Sequence, residues 1–252
     1  MSARGHAFGI DIGGSGVKGA VVDLATGELV HERIKITTPH PSTPDAVADA
    51  VAKLVAEADW PGPVGITLPS VVLEGVARTA ANIDKAWIGT DARALFSAAL
   101  GGRPVTVLND ADAAGLAEDR YGAAKNYDGL VLLLTFGTGI GSALLYNGTL
   151  VPNSELGHLE IGGMETEHRA AASIKDRDGL SYEQWATEVS TVLIGLENLF
   201  WPKVFVAGGG ISRDSDQWIP LLTNRTPVVP AHLRNTAGIV GAAMAIDAGI
   251  VP

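Results

Sequence analysis

The chain has 252 residues, enough for one large domain or two modest ones, and 46% of them are hydrophobic, so a sizeable core can be buried. Its 18 Lys and Arg against 28 Asp and Glu give a net charge of −10, which disfavours general nucleic-acid binding and obliges an anionic substrate to find a local basic or amide-lined pocket. Cysteine is absent, excluding disulfides, thiolate zinc sites and a cysteine nucleophile. The short polar start before Ala7 and the lack of a membrane-length apolar run point to a cytoplasmic chain with no membrane partner.

In chain order, the pattern predicts a buried strand over 7–12 and a glycine turn at Gly13-Gly14-Ser15-Gly16. A second strand over 17–24 and a third near 29–36 complete an antiparallel meander. Thr43-Pro44 opens a helix whose apolar face is Val47, Val51, Leu54 and Val55. A short strand over 64–68, a helix from Thr90-Asp91 to about Leu100, and a strand over 104–108 follow. Asn109-Asp110 then leads into a helix over 111–120. Beyond Gly129 the pattern restarts: a strongly apolar strand over 130–136, the turn Gly137-Thr138-Gly139, a strand over 140–146, an Asn147-Gly148 turn and a strand at Leu150-Val151. Ser181 with Gln184 forms a capping box for a helix carrying Val189, Val192, Leu193, Leu196, Leu199 and Phe200 on one face. A strand over 203–207 ends in Gly208-Gly209-Gly210, and a small-residue helix spans 236–248. The stretch from Asp11 to Leu29 parallels that from Thr135 to Leu150, so a duplicated strand–turn–strand unit is expected.

Gly14-Ser15-Gly16-Val17-Lys18-Gly19 matches G-x-G-x-x-G. A dinucleotide site needs a helix after the turn, however, and Val21-Val22 makes the next segment a strand. The P-loop spacing fails as well. What remains is a hairpin turn of unhindered amides able to wrap phosphate oxygens. Asp11 before it can hold Mg²⁺ directly or through water, and Lys18 adds a cation. One such hairpin reads as an ordinary turn. Two related copies, the second formed by Thr135 and Gly137-Thr138-Gly139, read as a phosphate grip. Gly208, Gly209 and Gly210 mark a third close approach, either under a nucleoside or in a crowded strand-to-helix turn. Asn109-Asp110 reads either as a helix N-cap or as the general base that accepts a hydroxyl proton during phosphoryl transfer. Glu155 and His158, three apart, read as a surface pair or as a clamp on vicinal sugar hydroxyls, with Asn82 joining them.

Taken together, Asp11-Ile12-Gly13-Gly14 with Lys18, Asn109-Asp110, Phe136-Gly137-Thr138-Gly139, Glu155-Leu156-Gly157-His158 and Ala207-Gly208-Gly209-Gly210-Ile211-Ser212 resemble the ROK group of sugar kinases and repressors, in order and almost end to end. The resemblance implies an α/β, actin-like ATPase (ribonuclease H-like) fold. It implies two lobes, each a mixed sheet flanked by helices: residues 1–110 with about 237–252, and residues 111–236, with a cleft between. It implies Asp110 as base, Asn82, Asn109, Glu155 and His158 on the sugar, and the paired turns on phosphates. Most of the group carry a cysteine-rich zinc loop after Glu-x-Gly-His. Here residues 159–178 replace it, so no zinc is expected, and Glu167, with Glu165 and Glu160 behind it, is the candidate for the last sugar-binding carboxylate. That replacement is similar to the polyphosphate-using branch of the group. It implies transfer from polyphosphate, and ATP, to the 6-hydroxyl of glucose, with mannose as a second acceptor, Mg²⁺ as cofactor and a homodimer by analogy. An ATP-only kinase for another hexose, or a sugar-sensing protein, is the alternative. A polyanionic donor calls for basic residues, and Lys85, Arg93, Arg103, Arg120, Lys125, Arg169, Lys175 and Arg177 are available.

Overall fold

Phe8, Ile10 and Ile12 alternate along one strand, and in the computed structural model, which describes residues 5–252, all three are fully buried on β1 (His6–Gly13). β1 pairs antiparallel with β2 (Gly16–Asp23), which pairs antiparallel with β3 (Ile34–Ile36). The third strand is shorter than residues 29–36 suggest. Leu29 makes one isolated bridge to Val22, and the exposed Val30-His31-Glu32-Arg33 has no apolar face to bury against the sheet edge. Helix α1 (Pro44–Glu57) buries Val47, Val51, Leu54 and Val55, as its spacing requires. β4 (Val64–Leu68) adds parallel to β1. A small hairpin of β5 (Val72–Leu73) and β6 (Val76–Ala77) and helix α2 (Ala92–Ala99) precede β7 (Val105–Asn109), parallel to β4. Asp91 caps α2 by accepting from the Ala94 amide at 2.8 Å. The sheet order is β3-β2-β1-β4-β7, and β7 runs straight into α3 (Asp110–Arg120).

The second sheet repeats the first. β8 (Leu130–Phe136), β9 (Ile140–Tyr146) and β10 (Thr149–Val151) form the meander. A hairpin of β11 (Glu160–Ile161) and β12 (Met164–Glu165), then helices α4 (Thr166–Ala170) and α5 (Ala172–Asp178), fill the segment read as a replaced zinc loop. α6 (Tyr182–Phe200) begins with the expected reciprocal Ser181–Gln184 capping box. It buries Trp185, Val189, Val192, Leu193 and Leu196. Leu199 does not join them and is 62% exposed, because at about 100° per residue it falls at the margin of that arc. β13 (Val204–Gly208), helix α7 (Ser215–Trp218) and β14 (Val228–Pro230) complete the order β10-β9-β8-β13-β14. In both sheets an antiparallel meander is followed by two parallel strands, the topology that the internal repeat calls for. Trp185 and Trp218 meet edge to face at 5.0 Å within this core.

The last helix, α8 (Ala237–Ala248), belongs with the first sheet. The chain therefore divides into residues up to Ala117 together with Thr236–Pro252, and Glu118–Asn235, each with its own apolar cluster. Close contact explains the small residues of and beneath α8. A Cβ on Gly9 would coincide with the Ile239 carbonyl, one on Gly65 with the Ala242 backbone, and one on Gly241 with the Ala113 backbone. Glycine at these places lets helix and strand backbones touch. Among the described residues, no helix is long and apolar enough to cross a membrane.

Candidate active site

Asp11 sits one residue before the end of the buried run of β1, opposite Lys18 on β2 and Thr67 on β4. Its carboxylate lies 3.4 Å from the Lys18 ammonium and accepts from the Thr67 hydroxyl at 3.1 Å. A side chain at Gly238 would press on Asp11, the Cβ falling 2.9 Å from Oδ1, so the first turn of α8 is kept clear for this carboxylate. Asp11 is partly exposed, as a carboxylate must be to reach a solute. Thr67 and Gly238 carry no sequence signature of this task. The register between strands and the return of α8 bring them there.

The two glycine turns are built alike. Gly13 faces Gly16 across the first hairpin, leaving Gly14 and Ser15 exposed at its tip, and the Thr38 hydroxyl donates to the Gly13 carbonyl at 2.6 Å. In the second, Thr135 lies opposite Gly208 of β13, and Gly137-Thr138-Gly139 forms the tip. Ser173 of α5 donates its amide to the Gly137 carbonyl at 3.0 Å and its hydroxyl to the Thr138 carbonyl at 2.7 Å. In both turns a hydroxyl residue from outside the hairpin ties back carbonyl oxygens that would repel an anion, which biases the turn toward presenting N–H groups. Gly208, Gly209 and Gly210 end β13. Gly209 has φ 85° and lies so close to Phe136 that a Cβ would enter its backbone, whereas Gly210 has open space beside it. Gly209 is thus required by crowding, and Gly210 is the member of the run with room for a ligand.

At the end of β7, Asn109 is buried and takes the helix cap: its Oδ1 accepts from the amides of Ala111 at 2.8 Å and Asp112 at 3.2 Å. Its Nδ2 donates to the Ser70 carbonyl at 3.2 Å, leaving one amide hydrogen. Asp110, the next residue, is exposed, with Oδ1 near the Ala111 amide at 2.9 Å. The two alternatives for this pair are therefore shared out between neighbours. Asn109 caps, and Asp110 presents an exposed carboxylate at the helix N-terminus. Asn82 is exposed at φ 59° in a bend of the same unit.

Glu155, His158 and Glu167 belong to the other unit and do come together. His158 Nε2 lies 3.7 Å from Glu155, and its Nδ1 lies 3.4 Å from Glu165 and 3.8 Å from Glu167. His168 reaches the same two carboxylates at 3.7 and 3.9 Å. The 3.4 Å contact to Glu165 is a long hydrogen bond and the others are ion-pair distances, with His158 well exposed. Donor atoms of His158, Glu165 and Glu167 lie within 4.8 Å of one another, so the β12–α4 junction brings two of the three candidate carboxylates to the histidine. Glu160 is exposed and stands outside this group. Burial raises the Glu155 pKa above its ordinary value, and the Glu167 charge adds to the rise while His158 opposes it. The motif is locked from below. The buried Thr166 hydroxyl lies 2.7 Å from the Leu156 carbonyl and 2.8 Å from that of Gly157, and a side chain on Gly157 would strike the Ile140 carbonyl. Glu167 also accepts from the Ile140 amide at 3.4 Å, beside the second glycine turn.

These residues can grip phosphates, accept a hydroxyl proton and bind paired hydroxyls. The model of the ROK family matches residues 7–173. The polyphosphate glucokinase of Mycobacterium tuberculosis (strain CDC 1551 / Oshkosh) is 64% identical over 240 residues, covering 95% of this chain and 91% of the relative. The solved inorganic polyphosphate/ATP-glucomannokinase from Arthrobacter sp. strain KM superposes with a TM-score of 0.92 at 51% identity, covering 98% of this chain and all of that one. A ROK family glucokinase from Streptomyces griseus, solved with glucose and AMPPNP, gives 0.80 at 25% identity over 95% of this chain and 98% of that one.

Proposed function

Because the chain belongs to the ROK family of sugar kinases with the actin-like ATPase fold, we propose that it is a glucokinase that moves a phosphoryl group from inorganic polyphosphate, or ATP, to the 6-hydroxyl of glucose. The observation that carries this reading is the 64% identity to a polyphosphate glucokinase over nearly the whole chain. The geometry supports it: a solvent-facing Asp110 beside a capping Asn109, two glycine turns with tied-back carbonyls, and the Glu155–His158–Glu167 group.

In this mechanism Glu155, His158 and Glu167, with Asn82 and the remaining amide hydrogen of Asn109, bind sugar hydroxyls. They fix the 6-hydroxyl against the donor, which is most of what phosphoryl transfer asks of a protein. Asp110 accepts the hydroxyl proton as the new O–P bond forms and the bond to the leaving phosphate breaks. The donor departs one phosphoryl group shorter, and Asp110 returns its proton to solvent. Asp11, Gly13, Gly14, Ser15 and Lys18, with Thr135, Gly137, Thr138 and Gly139, hold the phosphates; Gly208, Gly209 and Gly210 flank the nucleoside when ATP is the donor. Asp11 fits Mg²⁺, since a partly exposed carboxylate backed by a hydroxyl suits a hard ion that also binds substrate phosphates. The ion supplies charge neutralisation on those phosphates. Mannose, which differs from glucose at the second hydroxyl, is a second acceptor in this reading. A homodimer and a cytoplasmic location go with it by family analogy.

The test is glucose 6-phosphate formation by the purified chain with Mg²⁺ and either polyphosphate or ATP as sole donor. Product from both is expected. Product from ATP alone sinks the polyphosphate assignment and keeps the kinase, and no product from either sinks both.

A further inference from the structure

A long polyanion needs cations that are not already committed, and in the Glu118–Asn235 unit several are. Arg169 pairs with Glu188 at 2.6 Å, Arg177 with Asp178 at 2.6 Å and Arg225 with Glu197 at 3.6 Å. Lys175 lies 3.9 Å from Asp176 and over the Tyr182 ring. Six exposed basic residues, Arg120, Lys125, Lys203, Arg213, His232 and Arg234, have no carboxylate partner among the described residues, and four of them, Arg120, Lys125, His232 and Arg234, lie on the two segments that meet at one buried carboxylate. Arg120 and Lys125 are widely separated in sequence from His232 and Arg234, yet this carboxylate ties the two backbone segments together. Glu118, 1% exposed, accepts from the amides of Ala123 at 2.8 Å and His232 at 3.0 Å through Oε2, and from Leu233 at 2.7 Å through Oε1. Its carboxylate is thereby met by backbone N–H groups, and no basic side chain among the described residues pairs with it. Gly122 keeps the space beside this carboxylate, since a side chain there would run into it.

The location matches a donor track. β14 lies beside β13 with Pro230 opposite Ala207, and the Ala231 amide donates to the Ala207 carbonyl at 2.9 Å. His232 to Arg234 therefore leave the sheet next to Gly208, which in turn lies opposite Thr135 ahead of Gly137-Thr138-Gly139. The carboxyl ends of β8, β13 and β14 form one edge, where α/β sheets bind ligands.

We propose that Arg120, Lys125, His232 and Arg234, on the two segments tied together at Glu118, bind the stretch of polyphosphate that extends beyond the phosphates held by the Gly137-Thr138-Gly139 turn. The inference rests on the polyphosphate donor proposed above. ATP carries no such extension, so the track separates the two donors. In an Arg120→Gln/Arg234→Gln variant the KM for long-chain polyphosphate should rise roughly tenfold, with a weaker dependence on ionic strength. KM for ATP, tripolyphosphate and glucose should stay at parent values, and an Arg120→Lys/Arg234→Lys variant should restore most of the loss. An unchanged polyphosphate KM, or an equal rise with ATP, in a chain that still uses polyphosphate overturns the track and leaves the donor reading intact. A parent chain that makes no product from polyphosphate overturns the donor reading and the track with it.

Discussion

At the scale of single residues, the division of labour between Asn109 and Asp110 is the most consequential detail. A lone carboxylate at a helix N-terminus is ordinarily spent as the cap, and here its neighbour takes that duty. Asp110→Asn should therefore keep the fold and glucose binding, read by calorimetric titration, while turnover falls by roughly 10²-fold or more. Near-parent turnover in that variant would reduce Asp110 to a surface residue. Glu155 makes a second, pH-dependent case. Its pKa is raised chiefly by burial, so the carboxylate is lost on acidification sooner than a free Glu with its ordinary value of 4.5. Glucose KM should climb on the acid side above that value, and Glu155→Gln should flatten the climb while weakening binding. By linkage, a raised folded pKa favours the fold at low pH and costs stability as pH rises through it. The same variant should thus melt slightly higher than the parent at neutral pH, a trade of stability for binding. The motif residues themselves were legible in sequence. Thr67, Thr38 and Ser173 were not, because each acts through a strand register or a helix position that only the folded chain creates.

At the scale of elements, apolar periodicity located the long helices and the strands of both sheets, and the duplicated meander was visible as a repeat. The pieces it missed are short or polar. β14 and the β11–β12 hairpin have too few residues for a period to register, and the charged run after Arg169 hides helix α5. Leu199 shows the reverse error, helical spacing without burial. Residues 159–178 contribute hydrogen bonds through Thr166, Glu167 and Ser173 to both the Glu155–His158 motif and the second turn. α6 is joined to the segment before β14 by Glu197, a buried carboxylate. Burial alone would raise its pKa, but the Thr226 and Arg225 amides and the Arg225 charge outweigh this and hold it below the ordinary value. Its stabilisation is present at neutral pH and lost as pH falls through the lowered pKa. Glu197→Ala would leave those two amides without an acceptor, at a cost of roughly 3 kcal/mol. A drop in melting temperature of roughly 10 °C is expected, and a drop of a degree or less would show the contact to be dispensable. Gly65→Ala drives a methyl into the backbone of α8 and should cost about 3 kcal/mol, read from a denaturant midpoint at unchanged slope.

At the scale of the whole molecule, two apolar clusters with separate membership argue against a single cooperative melt. Calorimetry without ligand should give a van't Hoff enthalpy below the calorimetric one. Glucose should raise the transition to which it binds, by mass action. Equal enthalpies in the free chain would mean that the units unfold as one. Helix α8 has a consequence of a different kind. The strands of the sheet it covers are synthesised before Glu118–Asn235, and the helix only after that unit. Until then the backbone around Gly9 and Gly65 lacks the helix that packs on it. The growing polypeptide thus carries an open glycine-lined sheet through the translation of an entire second unit, a long exposure during which a chaperone could engage it.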